Sequence, residues 1–410
     1  MEARVAPARR RHAAENDRLL AAGARHLIAA RGLDGLSMSD LAAHTGLTRA
    51  PLYARYDSPE DVVVELWTSS VRATYDRVLE VVGRFFATDE DVPAELVAFV
   101  TASDEEHTVL VEILAAARRF PYVFEYVSES ITEGLLRHLE ERGETPASIA
   151  LAQLSVTFGA AFTSPVLPHA GTGSWAETLP MVREHMRLGA ARAVPESDVP
   201  TFRIPMPSAA NDPDLVRLFV DAITQVLART GYERASANRI ARAAGRSFNS
   251  AYDVFASKDQ LMRHAVVTLV EQMALLNFDG FVGLDEPSYV QLVAAAAASL
   301  FSDDNRTIRQ IRIESFLAAR HHEPIAEALR TLDPRAAERA EQLLDERYEG
   351  VTPEVMEHLL AFWTVLRSNV AGVCLLAPYL PRSCVLGWQP AAIAQYSFLR
   401  ALVIDHLRPR

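Results

Sequence analysis

What most constrains this chain is that it repeats itself. Residues 19–62 align without a gap on residues 218–261, at a constant offset of 199. The identities fall at Leu19/Leu218, Ala29/Ala228, Gly32/Gly231, Ser37/Ser236, Ala42/Ala241, Gly46/Gly245, Tyr53/Tyr252 and Ser58/Ser257. Missing an internal repeat misassigns a whole fold. A length of 410 residues already exceeds what one hydrophobic core organises, and the repeat divides it into two similar units.

Each copy reads as three helices and the start of a fourth. In the first, Leu20, Ala24, Leu27 and Ile28 form an apolar stripe that ends at Gly32, suited to a left-handed helix end, and Gly231 takes that place in the second. Ser37 or Ser39 then caps a short helix carrying Leu41 and the small Ala42. Gly46 supplies a turn, and Thr48 caps a second short helix that tolerates Pro51 in its first turn, where backbone amides have no intrahelical acceptors. Gly245 and Ser247 repeat the arrangement. Ser58-x-x-Asp61 and Ser257-x-x-Gln260 have capping-box spacing, and each opens a long amphipathic helix. Two short helices joined by a glycine turn and braced by a third make a helix-turn-helix.

The stretch "GLTRAPLYARYDSPEDV", with its second copy "GRSFNSAYDVFASKDQL", resembles the DNA-binding domain of TetR-type transcriptional regulators. That resemblance covers about a quarter of the chain by motif, and the 199-residue spacing matches the size expected of an all-helical subunit. It implies an all-α fold of two tandem TetR-like units, each a three-helix DNA-binding domain followed by a helical sensor domain, paired as an intramolecular pseudo-dimer. The expected divisions are 1–60 and 214–260 for the DNA-binding domains and 61–193 and 261–410 for the sensors. Residues 194–213, with five prolines in twenty residues, form the extended linker between them. The helices 149–167 and 354–376 are apolar over more than one face, and the resemblance places such helices in a four-helix contact between subunits.

Charge follows the motifs. The chain carries a formal charge of −12, yet residues 1–60 hold nine arginines against seven acids and residues 212–262 seven basic against six acidic residues. Phosphate contacts dominate DNA affinity, so the acidic bodies leave binding to the two motifs. The resemblance implies a phosphate contact for Tyr53 and Tyr252, the alternative being an aromatic packed in the small core; Tyr56 and Phe255 read as core. Arg55 stands where many family members place a DNA-contacting histidine, whereas the second copy has Val254. Lys258 is the only lysine in the chain and falls where the family touches phosphate at the start of helix four; Pro59 replaces it in the first copy. Arg9, Arg10 and Arg11 can reach the backbone as an arm.

Base reading falls to Thr48, Arg49 and Ala50 in one copy and to Ser247, Phe248 and Asn249 in the other. Arginine suits guanine, asparagine adenine, and a phenyl ring a thymine methyl. Two unlike readers predict a double-stranded DNA operator without palindromic symmetry. The alternative is a scaffold on which one or both motifs no longer bind DNA, with Asp253 set against a phosphate in the second copy.

For the sensors, the resemblance implies a small apolar or aromatic effector, with Phe120, Phe124, Phe158, Phe162, Phe316, Phe362 and Trp363 as lining candidates; core packing is the other reading of each. His321-His322-Glu323 precedes Pro324 and reads as a polar helix start rather than a metal site. Gly171-x-Gly173 lacks the strand and further glycine of a dinucleotide loop. No catalytic grouping, cofactor or metal is expected. Cys374 and Cys384 sit ten apart without a CxxC partner and read as ordinary thiols. No uninterrupted apolar run approaches the roughly 20 residues of a membrane span, and the polar stretch after Arg11 lacks the apolar core of a secretion signal, so the expectation is cytoplasmic.

Overall fold

In the computed structural model the described residues are 5–170, 173–192, 199–206, 212–247, 249–250, 253–281, 284–381 and 387–410, without the side chains of 5–14, 51 and 271–281. The first unit runs α1 (Val5–Arg31), α2 (Met38–Thr45), α3 (Arg49–Tyr53), α4 (Pro59–Leu66), α5 (Arg72–Ala87), α6 (Ala94–Val100), α7 (Glu105–Ala116), α8 (Pro121–Glu141), α9 (Ala147–Thr163) and α10 (Trp175–Ala191). The second runs α11 (Asp214–Arg234), α12 (Ala237–Ala243), α13 (Lys258–Phe281), α14 (Glu286–Phe301), α15 (Arg306–His321), α16 (Glu323–Arg330), α17 (Leu332–Arg347), α18 (Pro353–Leu376) and α19 (Gln389–Leu402). One two-residue antiparallel pair, Tyr348–Glu349 with Arg408–Pro409, is the strand content among the described residues. The fold is all-α, in two tandem units.

The units meet through α9 and α18, which cross at four small residues. A Cβ added to Gly159 would stand 1.8 Å from the Ser368 carbonyl oxygen, and one added to Gly372 would stand 1.9 Å from that of Ser155. The two helices thus present the same Ser-x-x-x-Gly step to each other, and only glycine lets the backbones approach this closely. Every residue of α9 from Ser148 to Thr163 is buried, which explains why it is apolar all round. Beside this crossing α10 packs on α19, with Gly189 close beneath the Pro390 carbonyl. The segment Pro353–Tyr379, which contains α18, is long and apolar enough to cross a membrane, its most apolar window having a mean hydropathy of 1.6. Its most apolar window is 78% buried inside the protein, so the length serves the core. Uninterrupted apolar runs did not reveal it because Glu357 and Arg367 break the run.

The polypeptide passes from the first helix-turn-helix into its body without leaving a helix. α4 continues through a π-helical turn, Trp67–Val71, directly into α5. Between the units, Val199–Met206 is neither helix nor strand and is pinned to the second unit: Phe202 N donates to Ser299 Oγ (2.9 Å) and Ile204 N to Asn305 Oδ1 (2.8 Å), while Asn305 Nδ2 donates to the Phe202 carbonyl (2.9 Å).

Candidate nucleic-acid interface

The first head is a small core of Leu20, Ala24, Leu27, Ile28, Leu41, Leu52 and Tyr56, all buried. Ser37 caps α2 by accepting from Asp40 N (3.1 Å), and Gly46 ends it at φ 70°, ψ 8°. Nothing lies within 4 Å of a Cβ added there, so backbone conformation alone calls for glycine. Thr48 occupies the position before α3 in extended conformation, but its side chain makes no cap bond. Ser58 and Asp61 close a full capping box on α4: Asp61 N donates to Ser58 Oγ (3.2 Å) and Ser58 N to Asp61 Oδ2 (2.9 Å).

Gly32 departs from the expected left-handed cap. Its φ is 71° but its ψ is 176°, and Gly231 repeats this at 73° and 172°. The chain is extended after a positive φ, a region essentially reserved for glycine, and turns sharply out of the helix rather than tightening it.

The second head repeats the plan with Phe219, Ile223, Leu227, Ile240, Ala241 and Phe255 buried. Ser236 caps α12, accepting from Arg239 N (3.3 Å). Gly245, at φ 63°, closes it in a Schellman arrangement: Arg246 N donates to the Ala241 carbonyl (3.0 Å) and Gly245 N to that of Arg242 (3.1 Å). Ser247 Oγ accepts from Ser250 N (3.3 Å), starting the second short helix. Gln260 Oε1 accepts from Ala256 N (2.5 Å), the counterpart of Asp57, whose N donates to Asp61 Oδ2 (3.1 Å).

α3 divides its residues cleanly. Leu52 and, just beyond the helix, Tyr56 face the core, whereas Thr48, Arg49, Ala50 and Tyr53 are exposed, Tyr53 at 54%. Arg49 makes no ion pair with a described residue. Arg55 is engaged: it pairs with Asp17 of α1 and Glu65 of α4 (3.2 Å) and lies over the Tyr56 ring. Such exposed pairs are worth about 0–1 kcal/mol, so a phosphate can compete for this guanidinium. In the second head Ser247 and Asn249 are exposed, as is Asp253. Phe248 and Tyr252 lie outside the described residues; Arg9, Arg10 and Arg11 belong to α1, their side chains outside the described set.

Lys258 is placed differently from a free surface cation. Its Nζ donates to the Tyr232 carbonyl (2.9 Å) and stands 4.0 Å from the centre of the Tyr232 ring. Partial burial lowers its pKa. Asp259, next to it, accepts from the Tyr232 hydroxyl. On α12 and the turn after it, Arg239, Arg242 and Arg246 are exposed. Sequence reading passed over them because they precede the motif's reading helix.

The model for "Bacterial regulatory proteins, tetR family" matches residues 20–66 and again 219–265. Two TetR-family units stand in tandem in this chain. The protein is therefore a DNA-binding regulator of TetR type, and the matched segments run from within α1 and α11 through the rest of each head to the end of α4 and the first two turns of α13. No curated protein matches the chain.

Most aromatics named for the TetR-type sensors pack against other side chains. Phe158 lies between Tyr75 and Phe99, with ring centres 6.2 and 5.0 Å away. Phe162 meets Phe316 across the units at 5.8 Å, and Phe124 meets Tyr379 at 5.5 Å. Phe120 sits between the guanidinium groups of Arg119 and Arg234. Trp363 donates to Asp333 Oδ1 (3.3 Å). Phe362 does border a cavity, of about 40 Å³, with Val156, Val182, His185, Asn369 and Phe398 where α9, α10, α18 and α19 meet. An open groove of about 620 Å³ runs between the π-helical turn and α8, walled by Trp67, Tyr122, Tyr126, Glu125 and Glu129. Glu323 opens α16 as expected, but His321 ends α15 and is bound to buried Glu112 rather than starting a helix. Cys374 is a buried free thiol; Cys384 and Gly171 lie outside the described residues.

Proposed function

We propose that this regulator is a repressor that reads an asymmetric operator as a single-chain pseudo-dimer and is released by a small apolar ligand. What carries the reading is the pair of unlike exposed surfaces on two heads of one design: Thr48, Arg49 and Ala50 against Ser247 and Asn249, with Phe248 between them in sequence. Arg49 would take guanine and Asn249 adenine, and Phe248 would touch a thymine methyl. Tyr53, Tyr252, Arg55, Lys258 and the Arg9–Arg11 stretch would hold phosphates, Arg55 and Lys258 by exchanging their present partners.

The close α9–α18 crossing supports pairing within one chain: covalent linkage fixes a high effective concentration of each unit near the other, so dilution does not weaken DNA binding. We divide the chain as 1–60 and 214–260 for the heads, 61–193 and 261–410 for the bodies, and 194–213 for the linker. The cavity beside Phe362 supports a small apolar effector. Binding there would alter how α9, α10, α18 and α19 pack, and so the placement of the heads; its differential affinity for the two arrangements sets the size of the response.

Selection of DNA sites from a random pool tests this reading. The expected result is two unlike half-sites at fixed spacing, bound by a monomer in light scattering. Enrichment of a perfect inverted repeat would count against asymmetric reading, and no enrichment at all would leave a scaffold that no longer reads DNA.

A further inference from the structure

The units are joined a second time, away from the helix crossing, by buried charges. Glu112, Arg118 and Arg119 of the first body recur at an offset of 202 as Glu314, Arg320 and His321 of the second. Each acid is paired with the other unit's bases. Glu314 Oε1 is held by Arg118 Nη2 at 2.6 Å and lies 3.4 Å from Arg119 Nε, while Glu112 Oε1 is held by Arg320 Nε at 2.8 Å and His321 Nε2 at 2.9 Å. Both carboxylates are 1% exposed.

One base of each set, Arg119 and His321, also touches a head. Arg119 pairs with Asp34 of the first head, which in turn lies 3.4 Å from Arg234 Nε of the second. A Cβ on Gly231, in the second head, would stand 1.9 Å from Arg119 Nη1, so the guanidinium rests on that bare backbone. In the related place His321 lies against Gly32, where a Cβ would be 2.9 Å from its Nε2. Gly32 and Gly231 are the two positive-φ residues with extended ψ at which the chain turns out of α1 and α11 within each head. They are also where a side chain would collide with the opposite unit.

We infer that Arg119 is the positioning residue that fixes the two DNA-reading heads relative to each other. It reaches Asp34 in one head, Gly231 in the other and Glu314 in the opposite body, while belonging itself to the first body. A planar fork with five donors can serve such a junction, whereas an imidazole has two ring nitrogens to offer. His321 is therefore the weaker mate: it holds Glu112 and Gly32 but makes no pair with Glu233, which His322 takes instead at 2.5 Å. The junction is unequal as the two readers are unequal. A shift at the end of α7, where Arg118 and Arg119 follow, reaches both heads. Arg119 Nε and Glu314 Oε2 lack hydrogen bonds and border, with Asp34 and His321, a cavity of about 20 Å³ between the units, enough for a water.

The proposal bears on the paired reading of DNA above, but its test needs no DNA. Spin labels at Ala43→Cys and Asn238→Cys, one on each head, in a full chain with Cys384→Ser and the buried Cys374 left in place, report the distance between heads by pulsed electron resonance. The unaltered junction should give one narrow distribution. Arg119→Gln, and the shape-preserving Asp34→Asn, should broaden it at least twofold while unfolding remains cooperative. Arg137→Gln, which removes an exposed pair with Asp76, should leave it narrow. If Arg119→Gln does not fold, Asp34→Asn decides. A narrow distribution in Asp34→Asn, or a broadening that appears only where cooperative unfolding is lost, overturns the proposal. Failure of operator selection with these distances as expected would refute the DNA reading and leave the junction standing.

Discussion

Gly159→Ala should do the opposite of what helix propensity predicts. On a free helix the change is worth about 1 kcal/mol of added stability. Here the new Cβ would lie 1.8 Å from the Ser368 carbonyl oxygen, and ordinary contact begins at 3.4 Å, so the α9 and α18 backbones must separate locally by the difference, 1.6 Å. A gap of about 0.5–1 Å already forfeits roughly a quarter to a half of each dispersion contact along the seam. Overpacking of this kind typically costs about 1–3 kcal/mol, and the clash with backbone rather than a flexible side chain puts it at the upper end. The expected net effect is a loss of about 2 kcal/mol, read as a lower urea midpoint with unchanged slope. Gly372→Ala, 1.9 Å from the Ser155 oxygen, should behave alike. The double variant should lose less than the sum, because helices already parted for one methyl accommodate the second. A raised midpoint in either single variant would refute the account of the crossing.

His138 is 3% exposed, and burial, followed by the nearby Arg142, lowers its pKa from 6.5 to about 4. Its folded pKa is depressed, so the unfolded chain binds the proton first: the contribution is complete above pH 6.5 and is lost as pH falls toward 4. At about 1.36 kcal/mol per unit this amounts to about 3 kcal/mol, and His138→Gln should flatten the pH dependence of unfolding over that window by this amount. Arg49→Ala should weaken binding to selected DNA by about 1–3 kcal/mol and relax preference at one guanine, whereas equal loss on all sequences would make it a phosphate contact. Arg55→Ala should cost less than about 1 kcal/mol of stability, yet reduce the salt dependence of DNA binding by about 0.9 log units per log unit of salt; an unchanged slope would confine Arg55 to its pairs with Asp17 and Glu65.

The heads were legible in the amino-acid sequence because their determinants are local. Ser37 with Asp40, Gly46, Leu52, and Ser58 with Asp61 act over a few residues, and each stands where its chemistry places it. Gly32 shows the limit of that reading: its sequence position announced a helix end, but its ψ follows from the way the chain turns away beside His321. Lys258 shows it again, since the carbonyl and ring of Tyr232, 26 residues earlier, engage its ammonium.

The sequence alone determined that there are two helix-turn-helix heads and that their exposed faces differ, since turns, caps and helical stripes depend on neighbours within about one or two helical turns. Only tertiary structure decided that Gly159 meets Ser368 and that Arg119 joins Asp34, Gly231 and Glu314. Those partners are separated by between 85 and about 210 positions, with no local pattern to link them. Which glycine bears a helix crossing and which arginine is desolvated depends on the approach of whole helices, and that is set by the packing of both units at once.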